Sequence, residues 1–180
     1  MAASNPTKDY VNLVAKALEK RHKKVSVQAF NFFQWELLKH DRAELLPMLD
    51  KHLNRNLDVV SIQLGENVSD NSTFRQDLAE MVRYIKNKAP KAKIVIISDF
   101  WSKIRTPLKK AAAKECGALF VDLQPIMGKK EYMCNLNTLI EDDKKQKHPV
   151  THPGVGRHPG DKGMAYIANS IIKALYGEQK

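Results

Sequence analysis

Cysteine is scarce in this chain. Cys116 and Cys134 are the only two, and without C-x-x-C spacing they are too few for a disulfide framework, so buried or unpaired thiols are expected. Long apolar runs are absent too. The longest stretches, such as "VVSIQL" and "IVIIS", are far too short to cross a bilayer, which excludes a membrane span. The opening "MAASNPTKDY" has no apolar core behind a basic start, so no secretory signal peptide is expected in this sequence, and the compartment stays open. Internal repeats and low-complexity tracts are missing as well.

What is present suits one globular domain over residues 1–180. The 43% hydrophobic and 28% charged residues can bury a core without metal or disulfide support. A net charge of +10 raises the question of a polyanionic partner. The lysines lie in "KALEKRHKK", "KNKAPKAK", "KKAAAKE" and "DDKKQK", mixed with acids and without aromatics between them for base stacking. Solvated surface is therefore expected, not nucleic-acid binding.

The periodicity predicts alternating strands and helices. From Lys8, the residues Tyr10, Leu13, Val14, Ala17 and Leu18 form one apolar helix face. Val25 to Phe30 reads as a short strand, and about Glu36 to Leu53 as a helix striped by Leu45, Leu46, Leu49 and Leu53, with Pro47 at a first turn or kink. Val59 to Leu64 and Ile94 to Ser98 are apolar on both faces, as in central parallel strands. Between them, Phe74, Leu78, Met81, Val82 and Ile85 mark a helix that closes before Pro90 and opens after the capping cluster Asp70 to Thr73. Thr106 as N-cap and Pro107 start a helix ending near Gly117, followed by the strand "ALFVDL". Residues 124–156 read as a long irregular segment with short helical possibilities, and Asp161 as the N-cap of a last helix through Met164, Ile167, Ala168, Ile171, Ile172 and Leu175. This order implies an α/β sandwich with a parallel sheet, whose ligands bind at the carboxyl ends of the strands.

Two segments carry a family resemblance. "LDVVSIQLGENVSD", in which a strand ends in Gly65, Glu66 and Asn67, and "HPGVGRHPGDKGMAYIANSI", in which His158 precedes Pro159 and the final helix, resemble the third and fifth blocks of the SGNH, or GDSL-type, hydrolases. "NFFQWE" resembles their second block loosely. The resemblance implies a three-layer α/β/α sandwich of flavodoxin-like form with a mainly parallel sheet. It implies an ester hydrolase acting on acyl esters such as acetylated carbohydrates or lipids, with no cofactor and no metal. His158 would be the general base and Asn67 an oxyanion donor, the two facing a common hollow at one rim of the sheet. Glu36, at the position of the second block's glycine, would offer a main-chain donor. Gly65, Glu66, Trp35 and Trp101 would line the substrate site.

The family's Gly-Asp-Ser block is missing. Ser4 is the only serine ahead of the first helix, and no apolar strand precedes it. The expectation is a chain without its nucleophile and first strand, with weak or no esterase activity, and self-association through the incomplete sheet. Val155 occupies the place three residues before the histidine where the family often carries Asp; the "HPGV" context resembles members in which a backbone carbonyl orients the imidazole, with Asp122 and Asp161 as alternative carboxylates. The competing reading is a binding module that grips a carbohydrate or a protein in the same cleft without chemistry. His148, His152 and His158 lack the i, i+4 spacing of a zinc site and read as loop residues.

Overall fold

A computed structural model describes residues 2–142 and 144–177. In chain order its elements are α1 (Tyr10–Glu19), α2 (Phe33–Leu37), β1 (Val59–Ile62), α3 (Phe74–Lys88), β2 (Lys93–Ile97) and α4 (Thr106–Cys116), followed by β3 (Leu119–Val121), β4 (Leu139–Glu141), β5 (Lys147–Pro149), α5 (Pro153–Gly156) and α6 (Asp161–Tyr176). The chain is of the α/β class. It divides into two compact units, one of residues Gln28–Gln124 and one formed by the chain up to Val27 together with the chain from Pro125 onward.

The Gln28–Gln124 unit is built on a parallel sheet of order β1-β2-β3, with Val60 opposite Ile94 and Ile96 opposite Phe120. β2 is central, and Ile94 to Ile97 are buried on both faces, as their unbroken apolar run requires. Helix α3 turns Phe74, Leu78, Met81, Val82 and Ile85 inward, where they pack with Ala112 and Ala113 of α4 and with Trp35, Leu46 and Leu49. The helix ends before Pro90, and α4 closes on Gly117 in the left-handed conformation, φ +59°.

Several boundaries differ from the expectation. Residues 36–53 do not form one α-helix. Helix α2 stops at Leu37, and Arg42–His52 winds as a 3-10 helix around Pro47, whose missing N–H interrupts α-helical bonding. Leu46 and Leu49 still face the core. Thr106 is the first helical residue of α4 and makes no capping bond. Val25 to Phe30 is not a strand: it makes no backbone hydrogen bond among the described residues, and Val27 is exposed. β propensity alone does not make a strand, because a strand exists only when a neighbour completes its ladder. On the outer side of β1, no described hydrogen bond meets Val59–Ile62.

In the other unit α1 packs against α6. Asp9 caps α1, accepting the Asn12 N–H at 2.9 Å, so the helix starts at Tyr10 and a 3-10 turn, Pro6–Lys8, precedes it. Residues 124–156 contain short helical turns, as expected, and a strand pair that was not expected. They hold a 3-10 turn (Lys130–Tyr132), the antiparallel pair β4-β5 with Ile140 opposite His148, and the single turn α5. Helix α6 is capped by Gly160, with Asp161 as its first residue. No described helix is long and apolar enough to cross a membrane.

Candidate functional site

The carboxyl ends of β1 and β2 bring together residues that sequence separates widely. After Leu64 the chain turns at Gly65, whose φ of +129° is strained for any residue with a Cβ. A side chain there would also meet Lys109 Cε at 3.1 Å, Asp99 Oδ1 at 3.2 Å and the Phe74 ring at 3.2 Å. The turn continues with the Val68 N–H donating to the Gly65 carbonyl at 3.0 Å. Glycine is thus demanded twice, by backbone angle and by space.

Each residue of this loop is tied down. Glu36, buried on α2, accepts the Gly65 N–H on Oε1 and the Asn67 Nδ2–H on Oε2, the latter at 2.6 Å. Glu66 Oε1 accepts the N–H groups of Phe100 and Trp101 in the turn after β2. Arg105 donates to the Val68 carbonyl at 3.2 Å and to the Glu66 carbonyl at 3.5 Å. Arg105 Nε in turn meets Asp99 Oδ2 at 2.6 Å, and Lys109 Nζ meets Asp99 Oδ1 at 2.5 Å and the Ile97 carbonyl at 2.9 Å. Asp99 and Lys109 are fully enclosed, at 0% and 1% exposure, so the Lys109 charge depends on Asp99, which Arg105 also neutralises.

Burial sets the proton affinities here. Glu66 is raised above the ordinary glutamate value, first by desolvation and then by the charge of Asp99. Its Oε2 is buried without a hydrogen-bond partner. Burial likewise lowers Lys109, against the pull of Asp99.

Of the residues expected to line a site, Gly65, Glu66, Asn67 and Glu36 come together in this unit, with Asn67 exposed. Trp101 follows the Phe100 turn and is 42% exposed. Trp35 is a correction: it is fully buried, its ring edge-on to Phe74 at 5.9 Å with the Arg42 guanidinium 5.3 Å from its centre, so it is core and no wall of a cleft. Glu36 engages the loop with its carboxylate, where a main-chain donor was expected. Sequence reading missed the Asp99, Arg105 and Lys109 cluster. Its signal is present, since Lys109 lies in step with Thr106, Ala112 and Ala113 on the buried face of α4, where a charge needs a partner.

His158 belongs to the other unit. It follows the α5 turn, donates its N–H to the Val155 carbonyl at 3.0 Å and accepts the Cys134 N–H at 2.8 Å. The side chain is exposed, yet partial desolvation lowers its proton affinity, favouring the neutral imidazole a base requires. The motif's glycines have steric roles. A Cβ on Gly160 would lie 2.7 Å from the Met133 carbonyl oxygen, and one on Gly163 2.3 Å from that of Tyr132.

Asp161 is held by Ser4 and Lys8. Its Oδ1 accepts the Ser4 N–H at 2.7 Å, and Oδ2 accepts the Ser4 hydroxyl at 2.8 Å and Lys8 at 2.7 Å. Burial raises the Asp161 pKa, but the bonds from Lys8 and Ser4 outweigh it and the net shift is downward. Asp122 accepts the Gln124 N–H at 2.9 Å in a local turn. His148 pairs with Asp142 at 3.0 Å from its place in β5, so it is a strand residue where a loop was expected, and His152 accepts the Gly154 N–H just ahead of α5.

No family model matches the chain, and no curated protein matches it. Among solved structures the chain is similar to one titled "Salicylyl-Acyltransferase SsfX3 from a Tetracycline Biosynthetic Pathway", with a TM-score of 0.55 and 18% identity. The likeness covers 97% of this chain and 50% of that one, so the chain spans half its neighbour's length. At that identity the likeness is one of fold.

Proposed function

We propose that this chain carries an SGNH-type acyl-ester hydrolase scaffold, with Asn67 as the oxyanion donor and His158 as the general base. The observation that carries the reading is the loop Gly65–Val68 at the carboxyl end of β1, fixed at every residue, with Asn67 an exposed residue whose amide nitrogen is held by Glu36. A donor that stabilises a developing oxyanion is effective when it is already in place, because no reorganisation is then needed during the reaction. The fold likeness to a protein titled an acyltransferase is in keeping with acyl chemistry. The substrate would be a small acyl ester, with an acetylated carbohydrate or a lipid as the natural class.

The sequence contains no Gly-Asp-Ser, and Ser4 is poorly suited to replace it. Its hydroxyl donates to Asp161, whose lowered proton affinity makes it a weak base, and it also accepts from Lys8 at 3.0 Å. We therefore expect hydrolysis of p-nitrophenyl acetate by this chain to stay near the uncatalysed rate. The assay is run on the wild type beside Ser4→Ala, His158→Ala and Asn67→Ala. Strong turnover abolished by Ser4→Ala would show that the nucleophile is present after all. Strong turnover unaffected by His158→Ala and Asn67→Ala would remove both assignments.

One observation favours a binding module instead. Trp101 and Ile104, both well exposed, sit on the turn that Glu66 anchors, and an exposed indole is a common platform for a sugar ring. Saturable binding of acetylated oligosaccharides that Trp101→Ala removes, without hydrolysis, would support that reading.

A further inference from the structure

We infer that Glu36 is a positioning residue: its buried carboxylate decides which end of the Asn67 amide is held and which N–H is left to act. The inference rests on the reading of Asn67 as a donor. Its own evidence is geometric.

Glu36 and Asn67 are 31 residues apart, yet one carboxylate spans the loop, Oε1 on the Gly65 N–H and Oε2 on Asn67 Nδ2 at 2.6 Å. Glu36 is only 5% exposed, while Asn67 is exposed. A solvent-facing asparagine amide ordinarily turns over freely, because its two ends have similar shape and both find water. An ionised carboxylate removes that freedom, since it accepts and cannot donate. It holds the nitrogen end of Asn67 and rejects the oxygen end. Nδ2 carries two protons, so one is committed to Glu36 and the second stays available on a nitrogen whose position is set. The second bond, to the Gly65 main chain, keeps the carboxylate from swinging with its guest. A negative charge behind the donor also weakens its pull on an oxyanion, so the gain is in orientation more than in electrostatic strength.

Glutamine at position 36 separates these effects. Its oxygen can still accept the Gly65 N–H, but its Nε2 then faces Asn67 and calls for Oδ1 in place of Nδ2. The bond count survives while the Asn67 amide inverts, so stability alone would miss the change.

The test is side-chain amide NMR on the 15N-labelled chain. In the wild type one Asn67 Nδ2 proton and the Gly65 N–H are expected to lie downfield and to exchange slowly, as charge-assisted bonds require. In Glu36→Gln the Asn67 displacement is expected to be lost, with core methyl signals such as those of Ile96 unchanged. Wild-type Nδ2 protons with ordinary exposed-amide shifts and exchange would overturn the proposal whether or not the variant folds, and so would an Asn67 signal unaltered in a folded Glu36→Gln. Sodium acetate, added as a carboxylate probe, separates the two readings. A free Nδ2 proton that acetate shifts in the wild type supports the donor reading, and a bound Nδ2 proton whose downfield, slow-exchanging signal is lost in Glu36→Gln supports the positioning role. An Asn67 signal that acetate leaves unmoved, while the Glu36 dependence holds, sinks the donor reading and leaves the positioning role standing.

Discussion

Glu66 carries the clearest titration signature at the scale of single residues. One oxygen accepts two main-chain N–H groups, the other is buried without a partner, and Asp99 adds a like charge. Its folded-state pKa lies above the ordinary 4.5, so folding takes up a proton between 4.5 and the raised value. The stability this group contributes is therefore greatest below 4.5 and declines as pH rises through the raised value. Glu66→Gln removes that dependence while keeping an oxygen for Phe100 and Trp101. Urea unfolding of both proteins across this acidic range should show the wild type losing ground to the variant as pH increases. A constant difference, or the opposite slope, would show that the carboxyl is not desolvated.

Among the elements, α6 shows how a helix start can be decided by its neighbour. An alanine in a helix interior usually gains ~1 kcal/mol over glycine. At position 163 the added methyl would meet the Tyr132 carbonyl oxygen at 2.3 Å, a backbone atom with no rotamer to yield. The overpacking cost of about 1 to 3 kcal/mol should then outweigh the propensity gain. Gly163→Ala is expected to lower the unfolding free energy in a urea titration; a variant as stable as the wild type or more so would mean that the first turn of α6 shifts freely. The "HPGDKG" sequence thus has a packing role independent of any chemistry at His158.

For the molecule as a whole, the unpaired backbone is the prominent feature. β1 is an edge whose outer side meets no described hydrogen bond, and Val25 to Phe30 is largely exposed and forms no ladder among the described residues. An unpaired strand edge is a template for another chain. We expect concentration-dependent self-association in light scattering, reduced by Ser61→Pro, because the register with β2 turns the Ser61 N–H toward the unpaired outer side of β1. A mass of one chain at every concentration would contradict it. The net charge of +10 opposes close approach of two copies, so added salt should favour the associated form.

Hydrophobic spacing by itself determined α3, α6 and the strands β1 to β3, because a residue's burial follows from its period along its own element, while Pro107 and Gly117 marked the two ends of α4. Gly65 was likewise legible, as a tight turn after an apolar strand, and Asn67 was singled out only by the resemblance of its block to the SGNH hydrolases. Only the tertiary structure decided that Val25 to Phe30 stays unpaired, since pairing belongs to a partner and not to the segment. It also decided that Trp35 is core, that Glu36 works through its carboxylate, and that Lys109 is buried against Asp99. Those contacts close loops of up to 31 residues, and the free energy of a buried charge depends on which partner arrives, a quantity no local window of sequence contains.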